Sequence, residues 1–187
     1  MMATTTKERL TAAALRLAAE HGINGASVRR IAKAAGVTEG ALYRHFKSKD
    51  DLWREIYTQF VSEIIREKEH LIQRNLPARQ SIHEWVRLTY DFFDSQPDAF
   101  TYVLLMPTSV AAHLGEVYNE QGKLFVRLIR NFQQSGQIRS MDPELALSHF
   151  SGILLNVPRL INEGVLPGPA TRYVEEVSDA AWRLFRS

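Results

Sequence analysis

The sequence predicts an all-α protein of about nine helices, and three observations support that fold class. Apolar residues recur at helical spacing almost throughout the 187 residues. No segment has the strict alternation of apolar and polar residues that marks a half-buried strand. Residues that favour helix ends separate the apolar runs. We expect a three-helix module over residues 1–50, joined to a larger helical domain over residues 51–187.

The composition limits the classes of protein that the chain can represent. Hydrophobic residues make up 45% and charged residues 24%, as in ordinary globular chains. Cysteine is absent, which excludes disulfides, thiolate metal sites and cysteine nucleophiles. No apolar run approaches the roughly 20 residues of a membrane-spanning helix, and residues 1–6 lack the features of a secretory signal. We therefore expect a cytoplasmic protein without a membrane partner.

Charge is distributed unevenly along the chain. The net charge of +2 divides into +5 over residues 1–50 and −3 over the remainder. This asymmetry favours a polyanionic partner at the N-terminal end, although a solvated charged surface is the commoner cause of so modest an excess.

Helix-capping signals predict the first two helices. Helix 1 begins at a capping box formed by Thr5 and Glu8, and it stops at Gly22. Ser27 caps a short second helix, which Gly36 ends.

The same signals predict helices 3 and 4. Thr38 caps a short third helix that ends near Phe46. Ser48 and Asp51 form a second capping box, which opens a long fourth helix extending toward Arg74.

Prolines separate the predicted helices in the middle of the chain. Pro77 follows helix 4, and Ser81 is the expected N-cap of helix 5. Pro97 separates helix 5 from a brief apolar helix over residues 98–106. A longer helix follows Pro107 and runs to residues 135–136.

Helices 8 and 9 complete the predicted fold. Asp142 is an N-cap with Pro143 at the first helical position, and helix 8 ends at Gly164. Pro158 removes a backbone donor inside helix 8 and is expected to kink or end the helix there. Helix 9 begins after Pro169.

Residues 27–46 have the layout of a helix-turn-helix, with a glycine turn between two short helices. Helical geometry directs Gly40, Tyr43 and Arg44 away from the apolar side of helix 3. They leave a small, basic and hydrogen-bonding surface that suits the DNA major groove. Three apolar anchors are expected to face inward: Val37, Leu42 and Phe46.

The order of residues from 31 to 52 is distinctive. Its characteristic segments are Ile31-Ala32, Ala35-Gly36-Val37-Thr38, Gly40, Leu42-Tyr43-Arg44-His45-Phe46 and Ser48-Lys49-Asp50-Asp51-Leu52. This order resembles the signature of TetR-type (tetracycline-repressor) transcriptional regulators. The resemblance covers about the first fifty residues, whereas the remainder resembles the family only in helix count and layout. One departure is Ala18, where the family often has phenylalanine, so we expect looser packing of helix 1.

Carried over position by position, the resemblance implies nine DNA-contacting residues. Tyr43, His45 and Lys49 would contact phosphates, and Arg29 would reach the DNA backbone or a base. The residues expected to face base edges are Thr38, Glu39, Gly40, Ala41 and Arg44.

Elementary chemistry supports several of these roles and leaves alternatives for others. The free amides of the first turn of helix 4 favour an anion beside Lys49, and Arg44 has the donors to bind guanine in a bidentate manner. Taken singly, Tyr43 could be a packing residue, Lys49 a solvated lysine and His45 a core histidine. Glu39 would be repelled by phosphate unless it accepts a hydrogen bond from cytosine, and it could instead serve the helix dipole.

Helices 8 and 9 carry more apolar residues than a surface helix needs. Helix 8 has one row at Leu147, Phe150, Leu154, Val157 and Ile161, and a second at Ala146, Ile153 and Leu160; helix 9 has Val174, Val177, Ala181 and Leu184. The alternative is that helix 8 is wholly core. We expect a homodimer, because the resemblance implies a four-helix interface from these helices and a helix-turn-helix needs two half-sites.

The middle of the chain is rich in large side chains, most of which would be core in an ordinary protein. The resemblance implies that some surround a ligand cavity, and the expected ligand-binding residues are Trp85, Phe93, Phe100, Tyr102, Phe125 and Phe150. Polar groups for such a pocket could come from His113, His149, Asn156 and Arg159.

These observations predict a ligand-responsive transcriptional regulator, a repressor that a small apolar or aromatic effector releases from double-stranded operator DNA. The alternatives are an architectural DNA-binding protein that ignores sequence, or a helical enzyme. Catalytic motifs such as the P-loop and the nucleophile elbow are absent, and the six histidines never fall at metal-binding helical spacings. We therefore expect no catalysis, no metal and no cofactor.

Overall fold

The computed structural model describes residues 5–105 and 120–186. In these two ranges the chain forms nine α-helices and one 3-10 helix, and it forms no strand. The all-α class and the helix number agree with the prediction. In chain order the α-helices are α1 Thr6–Gly25, α2 Val28–Ala34, α3 Glu39–His45, α4 Lys49–Gln73, α5 Ala78–Ser95, α6 Pro97–Leu104, α7 Glu120–Gln134, α8 Pro143–Asn162 and α9 Val174–Phe185, and the 3-10 helix is Ala170–Tyr173.

The predicted capping signals act at α1 and α2. The hydroxyl of Thr5 accepts from the Glu8 amide at 3.2 Å, and the Glu8 carboxylate accepts from the Thr5 amide at 2.7 Å. Gly22 breaks the helical backbone with a φ of 70°, and a further turn carries α1 to Gly25. The hydroxyl of Ser27 accepts from the third amide of α2 at 3.3 Å. The first two helices therefore begin where local chemistry predicts.

The caps of α3 and α4 follow the prediction with one change. The Thr38 hydroxyl accepts from the Ala41 amide at 3.2 Å, and the Ser48 hydroxyl accepts from the Asp51 amide at 3.0 Å. The Asp51 carboxylate accepts from the amide of Lys47 at 2.8 Å, one residue before the expected Ser48. Half of the second capping box is therefore replaced by a bond that closes the turn between α3 and α4.

The predicted cap of α5 is wrong. The helix begins at Ala78, directly after Pro77, and Ser81 lies inside its first turn with 3% exposure. The Ser81 hydroxyl donates to the Leu76 carbonyl at 3.2 Å. The free amide of Ala78 donates to the side-chain oxygen of Gln137 at 2.9 Å. A side chain distant in sequence thus accepts the hydrogen bond of a helix-terminal amide that a local cap would otherwise accept.

The later helices agree with the prediction where they are described. The residues immediately after Pro107 lie outside the described ranges, so only the part of that helix from Glu120 onward can be compared. Asp142 caps α8 by accepting from two amides at 2.9 Å, with Pro143 at the first helical position. The helix does not end at Pro158, which is buried, and continues to Asn162.

The chain divides into two compact units. The N-terminal unit contains Met1–Phe60 and Asp98–Met106, and the C-terminal unit contains Val61–Pro97 and Pro107–Ser187. Helix α4 contributes to both units, whereas α6 belongs to the N-terminal unit. The boundary predicted at residue 50 separates a DNA-binding module from the rest of the chain, and it differs from the division into compact units. It stays a prediction.

The N-terminal unit has a core built from α1, α2, α3 and the start of α4. Leu10, Ile31 and Leu42 are fully buried. Helix α6 adds Tyr102, whose hydroxyl donates to the Trp53 carbonyl at 2.8 Å and whose ring lies 5.1 Å from the Trp53 ring. The short helices of this unit therefore pack on a continuous apolar interior.

Among the helices in the described ranges, none combines the length and apolar character that crossing a membrane requires.

Candidate nucleic-acid interface

Helix α3 separates an anchoring side from an exposed side. Leu42 is fully buried and Phe46, which follows the helix, is 1% exposed. Tyr43 is 53% exposed, and Arg44 is also exposed. Val37, expected to be buried, is only half-buried, because it lies in the turn rather than in a helix. The helix thus presents the predicted polar surface to solvent.

The turn between α2 and α3 requires a glycine. Gly36 has a φ of 67°, a conformation that other residues rarely adopt. The amide of Val37 then donates to the carbonyl of Ala32 at 3.0 Å. This short turn starts α3 at Glu39, one residue after the Thr38 cap.

Gly40 is a glycine that the fold of the unit does not require. It is exposed in the first turn of α3, and a Cβ built there would meet only the Thr38 hydroxyl, at 3.9 Å. Neither backbone strain nor space within the unit explains glycine at this position. Its small size therefore suits a close approach from outside.

The predicted base-facing residues all lie at this N-terminal end or on the exposed side of α3. Ala41 is half-buried, and the others are exposed. The exposed members are Thr38, Glu39, Gly40 and Arg44. The structure therefore leaves these residues available to a ligand without rearrangement of the unit.

The predicted phosphate contacts differ from one another in their surroundings. Tyr43 and His45 are exposed on α3. Arg29, predicted to reach the DNA backbone or a base, is exposed on α2 without an ion pair to any described residue. Lys49 is half-buried, and its ammonium donates to the carbonyl of Ile23 at 2.9 Å. That bond ties the end of α1 to the start of α4 and uses one of the three donors of the ammonium.

Two further exposed cations were not selected from the sequence. Lys33 lies in α2 and Lys47 lies in the turn between α3 and α4, and neither side chain has an ion pair within the described part of the chain. Arg30, in contrast, is committed to the unit because its guanidinium donates to the carbonyl of Gly25 at 2.9 Å. The excess of basic residues at this end was the available signal for Lys33 and Lys47.

The six predicted ligand-binding residues are divided between the two compact units. Phe100 and Tyr102 belong to the N-terminal unit, whereas the other four belong to the C-terminal unit. Every one of the six is at most 6% exposed. The four in the C-terminal unit are Trp85, Phe93, Phe125 and Phe150.

Rings in the C-terminal unit are packed against one another. Phe125 and Phe150 stack with centroids 4.5 Å apart and planes 3° apart, and Trp85 meets Phe125 edge-on at 5.2 Å. Phe185, which the sequence reasoning did not select, lies 6.1 Å from Phe150 and 6.3 Å from Phe125. These contacts give the aromatic residues a packing role, and their role as ligand contacts stays a prediction.

The polar residues considered for a pocket lie at the surface where they are described. His149, Asn156 and Arg159 are exposed, and Arg159 donates to the Asn156 side chain at 2.9 and 3.0 Å. His113 lies outside the described residues. Within the described ranges no three metal-binding side chains gather into a possible ion site.

Helix α8 divides its apolar residues between two environments. The buried positions occur every fourth residue, at Ala146, Phe150, Leu154 and Pro158. The remaining predicted apolar residues of α8 are half-buried; they are Leu147, Ile153, Val157, Leu160 and Ile161. In α9, Val177 and Ala181 are buried within the chain itself, while Leu184 is half-buried.

A family model and several known proteins match parts of the chain. Residues 10–56 match the model of the bacterial regulatory proteins of the tetR family. The HTH-type transcriptional repressor KstR2 of Rhodococcus jostii is 29% identical over 136 residues, which cover 70% of this chain and 67% of that protein. The HTH-type transcriptional regulator AcrR of Shigella flexneri is 48% identical over 59 residues, which cover 32% of this chain and 27% of that protein.

Solved structures match the fold over nearly the whole length. The fatty acid degradation regulator FadR of Bacillus halodurans superposes with a TM-score of 0.82 at 20% identity, covering 97% of this chain and 96% of that one. FadR of Bacillus subtilis, solved in complex with stearoyl-CoA, superposes with a TM-score of 0.80 at 20% identity, covering 92% and 96%. At this identity the likeness concerns the fold.

Proposed function

Because the chain belongs to the tetR family of bacterial regulatory proteins, we propose that it is a ligand-responsive transcriptional regulator whose α3 reads a double-stranded operator. The observation that carries this proposal is the exposed side of α3, where Tyr43 and Arg44 stand in solvent while Leu42 anchors the helix. A regulator of this kind acts where the DNA is, in the cytoplasm.

The nine proposed contacts divide into two roles. Tyr43, His45 and Lys49 position the protein on phosphates, while residues at the start of α3 and Arg44 select the sequence; Arg29 reaches the DNA backbone or a base. Replacing Lys49 by alanine should weaken binding to all DNA alike and make its salt dependence shallower by about 0.9 per lost phosphate contact. Lys49 also donates to the Ile23 carbonyl, so the stability of Lys49→Ala must be compared with that of wild type before affinities are interpreted.

We propose that the working form is a homodimer built on α8 and α9. The half-buried apolar residues of α8 support it, since a partner helix would remove them from water. Val157→Glu with Ile161→Glu should give folded monomers in light scattering, and Gln80→Glu on α5 is the control. Val177 on α9 is not suitable for this test, because it is buried in the core of its own chain and a glutamate there would disrupt the folded monomer. A double variant that remains dimeric would contradict the interface.

The proposed effector is a small, largely apolar or aromatic molecule that releases the operator. Its candidate contacts are the six aromatic residues, of which Phe100 and Tyr102 lie in the same compact unit as α3. A ligand shifts an equilibrium only by its differential affinity for two conformations. A coupling of about 1–3 kcal/mol would weaken operator binding about 5–150-fold, and operator would weaken effector binding equally. Helix α4 is the proposed link, because its residues belong to both units.

Selection of preferred sequences from random duplex DNA by the purified protein tests the proposed function. We expect a two-fold symmetric site with half-sites about 34–36 Å apart, or a multiple of that spacing. Enrichment of no sequence would favour an architectural DNA-binding protein instead. The selected duplex then serves to screen for effectors, through the fluorescence of Trp85 in a protein whose Trp53 and Trp182 are replaced by phenylalanine.

A further inference from the structure

A cavity of about 330 Å³ opens between α4 and α5 of the C-terminal unit. Its size lies at the lower end of the range for small-molecule sites. Four lining residues come from α4, one directly follows it and two come from α5; in chain order they are Arg66, Glu67, His70, Leu71, Arg74, Arg87 and Leu88. None of the six aromatic residues proposed for the effector lines this cavity, so it is not the site proposed for the effector.

Two lining side chains have hydrogen-bonding groups that the described protein does not use. Arg66 and His70 are exposed on α4, and neither forms a hydrogen bond or ion pair with a described residue. A guanidinium has five N–H donors and no acceptor, so Arg66 can engage only an anion or a neutral acceptor. The wall contributed by α4 therefore offers unused donors.

Two other guanidiniums at the cavity are held in place by one carboxylate. Glu84 accepts from Arg74 at 3.2 Å and from Arg87 at 3.0 and 3.4 Å, and Arg87 also donates to Asp91 at 2.6 Å. The hydrogen bond from Arg87 is the main reason that the pKa of Glu84 lies below its ordinary value, so this carboxylate stays charged. Both arginines keep N–H donors beyond these bonds, and holding them in advance lowers the entropy lost when a ligand binds.

Apolar surface lies beside these charges. Leu71 is 2% exposed and Leu88 is half-buried, yet both line the cavity. Here three guanidiniums and an imidazole lie next to an apolar wall, against a single lining carboxylate, Glu67.

We propose that this cavity binds a small anionic amphiphile, with a carboxylate or phosphate head group held by Arg66, Arg74 and Arg87 and a short apolar body against Leu71 and Leu88. Guanidinium groups match both head groups in a bidentate geometry. The apolar body supplies affinity by leaving water. The inference does not depend on the proposed DNA-binding function.

Calorimetry and methyl NMR on the full chain test this site. The probes are octanoate and octyl phosphate, with octanol lacking the charge and acetate lacking the apolar body. We expect both anionic amphiphiles to bind at least about tenfold more tightly than octanol or acetate, as charged hydrogen bonds predict. Octanoate should shift the methyl signals of Leu71 and Leu88 and leave those of Leu145, an exposed leucine of α8, unchanged.

Variants locate the head group. Arg66→Gln with Arg74→Gln should weaken octanoate binding about tenfold or more. Arg79→Gln is the matched control, because Arg79 is an exposed arginine of α5 that pairs with Asp179 and does not line the cavity. Equal losses in the double variant and the control would overturn the proposal. So would octanol binding as tightly as octanoate, Leu88 methyls that do not respond, or no saturable binding of either anionic probe at millimolar concentration.

Discussion

The two compact units expose their distinctive side chains to very different degrees. In the N-terminal unit, Tyr43 is 53% exposed and Arg44 stands beside it in solvent. In the C-terminal unit, Phe125 and Phe150 are each 1% exposed and stack on each other. The exposed residues can meet a partner without any rearrangement. The buried rings can meet one only if their packing changes.

Because of this difference, substitutions of exposed residues should affect recognition, whereas substitutions of buried rings should affect stability first. Replacing an exposed residue of α3 removes a contact that the folded chain does not use, so the free energy of unfolding should hardly change. Replacing a buried ring leaves a cavity, so stability falls first and any effect on binding follows from it. The predictions below use this contrast, beginning with the largest effect.

Phe125→Ala should lower the free energy of unfolding by about 3–5 kcal/mol. The ring contacts three other aromatic rings, and the substitution removes all three contacts. Urea denaturation of the purified protein measures the change. Phe125→Leu, which fills more of the space, should lose clearly less. If both variants kept the stability of wild type, the C-terminal aromatic residues would be loosely packed and open to ligand without rearrangement.

Leu42→Ala and Tyr43→Ala should differ although the residues are neighbours. Leu42 is fully buried, and its truncation should cost about 2–5 kcal/mol of stability. Tyr43→Ala should change stability by no more than about 0.5 kcal/mol and still weaken DNA binding. Thermal unfolding and DNA titrations on both variants test the pair. A large stability loss for Tyr43→Ala would make Tyr43 a packing residue.

Lys68→Met should change how stability depends on pH. Lys68 is buried, and its ammonium donates to the Trp85 carbonyl at 2.6 Å and the Thr89 hydroxyl at 2.7 Å. Burial lowers the pKa of Lys68 well below 10.5, against an opposing effect of Glu67, Asp91 and Glu84 and a reinforcing one of Arg87.

Between the lowered folded pKa and 10.5, the unfolded chain binds one proton that the folded chain does not. Raising the pH through that window therefore stabilises wild type relative to Lys68→Met, by at most about 1.4 kcal/mol per pH unit. Urea denaturation of both proteins across the alkaline range measures the difference. Parallel stability curves would mean that Lys68 keeps its ordinary pKa in the folded chain.

Local chemistry accounts for the parts of the fold and site that the sequence predicts well. The Thr5, Ser27 and Thr38 caps and the turn at Gly36 depend on residues within five positions of each other. The surface of α3 follows from the same short-range pattern. Its position within residues 27–46 could therefore be predicted before any tertiary contact was known.

Long-range contacts account for the rest. The α5 terminus is satisfied by Gln137, 59 residues away, which no local pattern announces. The bond from Lys49 to Ile23 and the burial of Lys68 likewise depend on neighbouring helices. Aromatic composition could not assign Phe100 and Tyr102 to one unit and Trp85 to the other, because side-chain size alone does not specify which rings meet.

The central claim is that the exposed side of α3 reads DNA sequence, and Arg44→Ala tests it most directly. Titration with the selected operator, its single-base variants and random duplex separates base reading from phosphate contact. We predict a loss of about 1–3 kcal/mol on the operator, with relaxed preference at one position per half-site and little change on random DNA. Arg16→Ala, which removes an exposed arginine of α1, is the control. Equal losses on operator and random DNA, with the base preference intact, would contradict the claim.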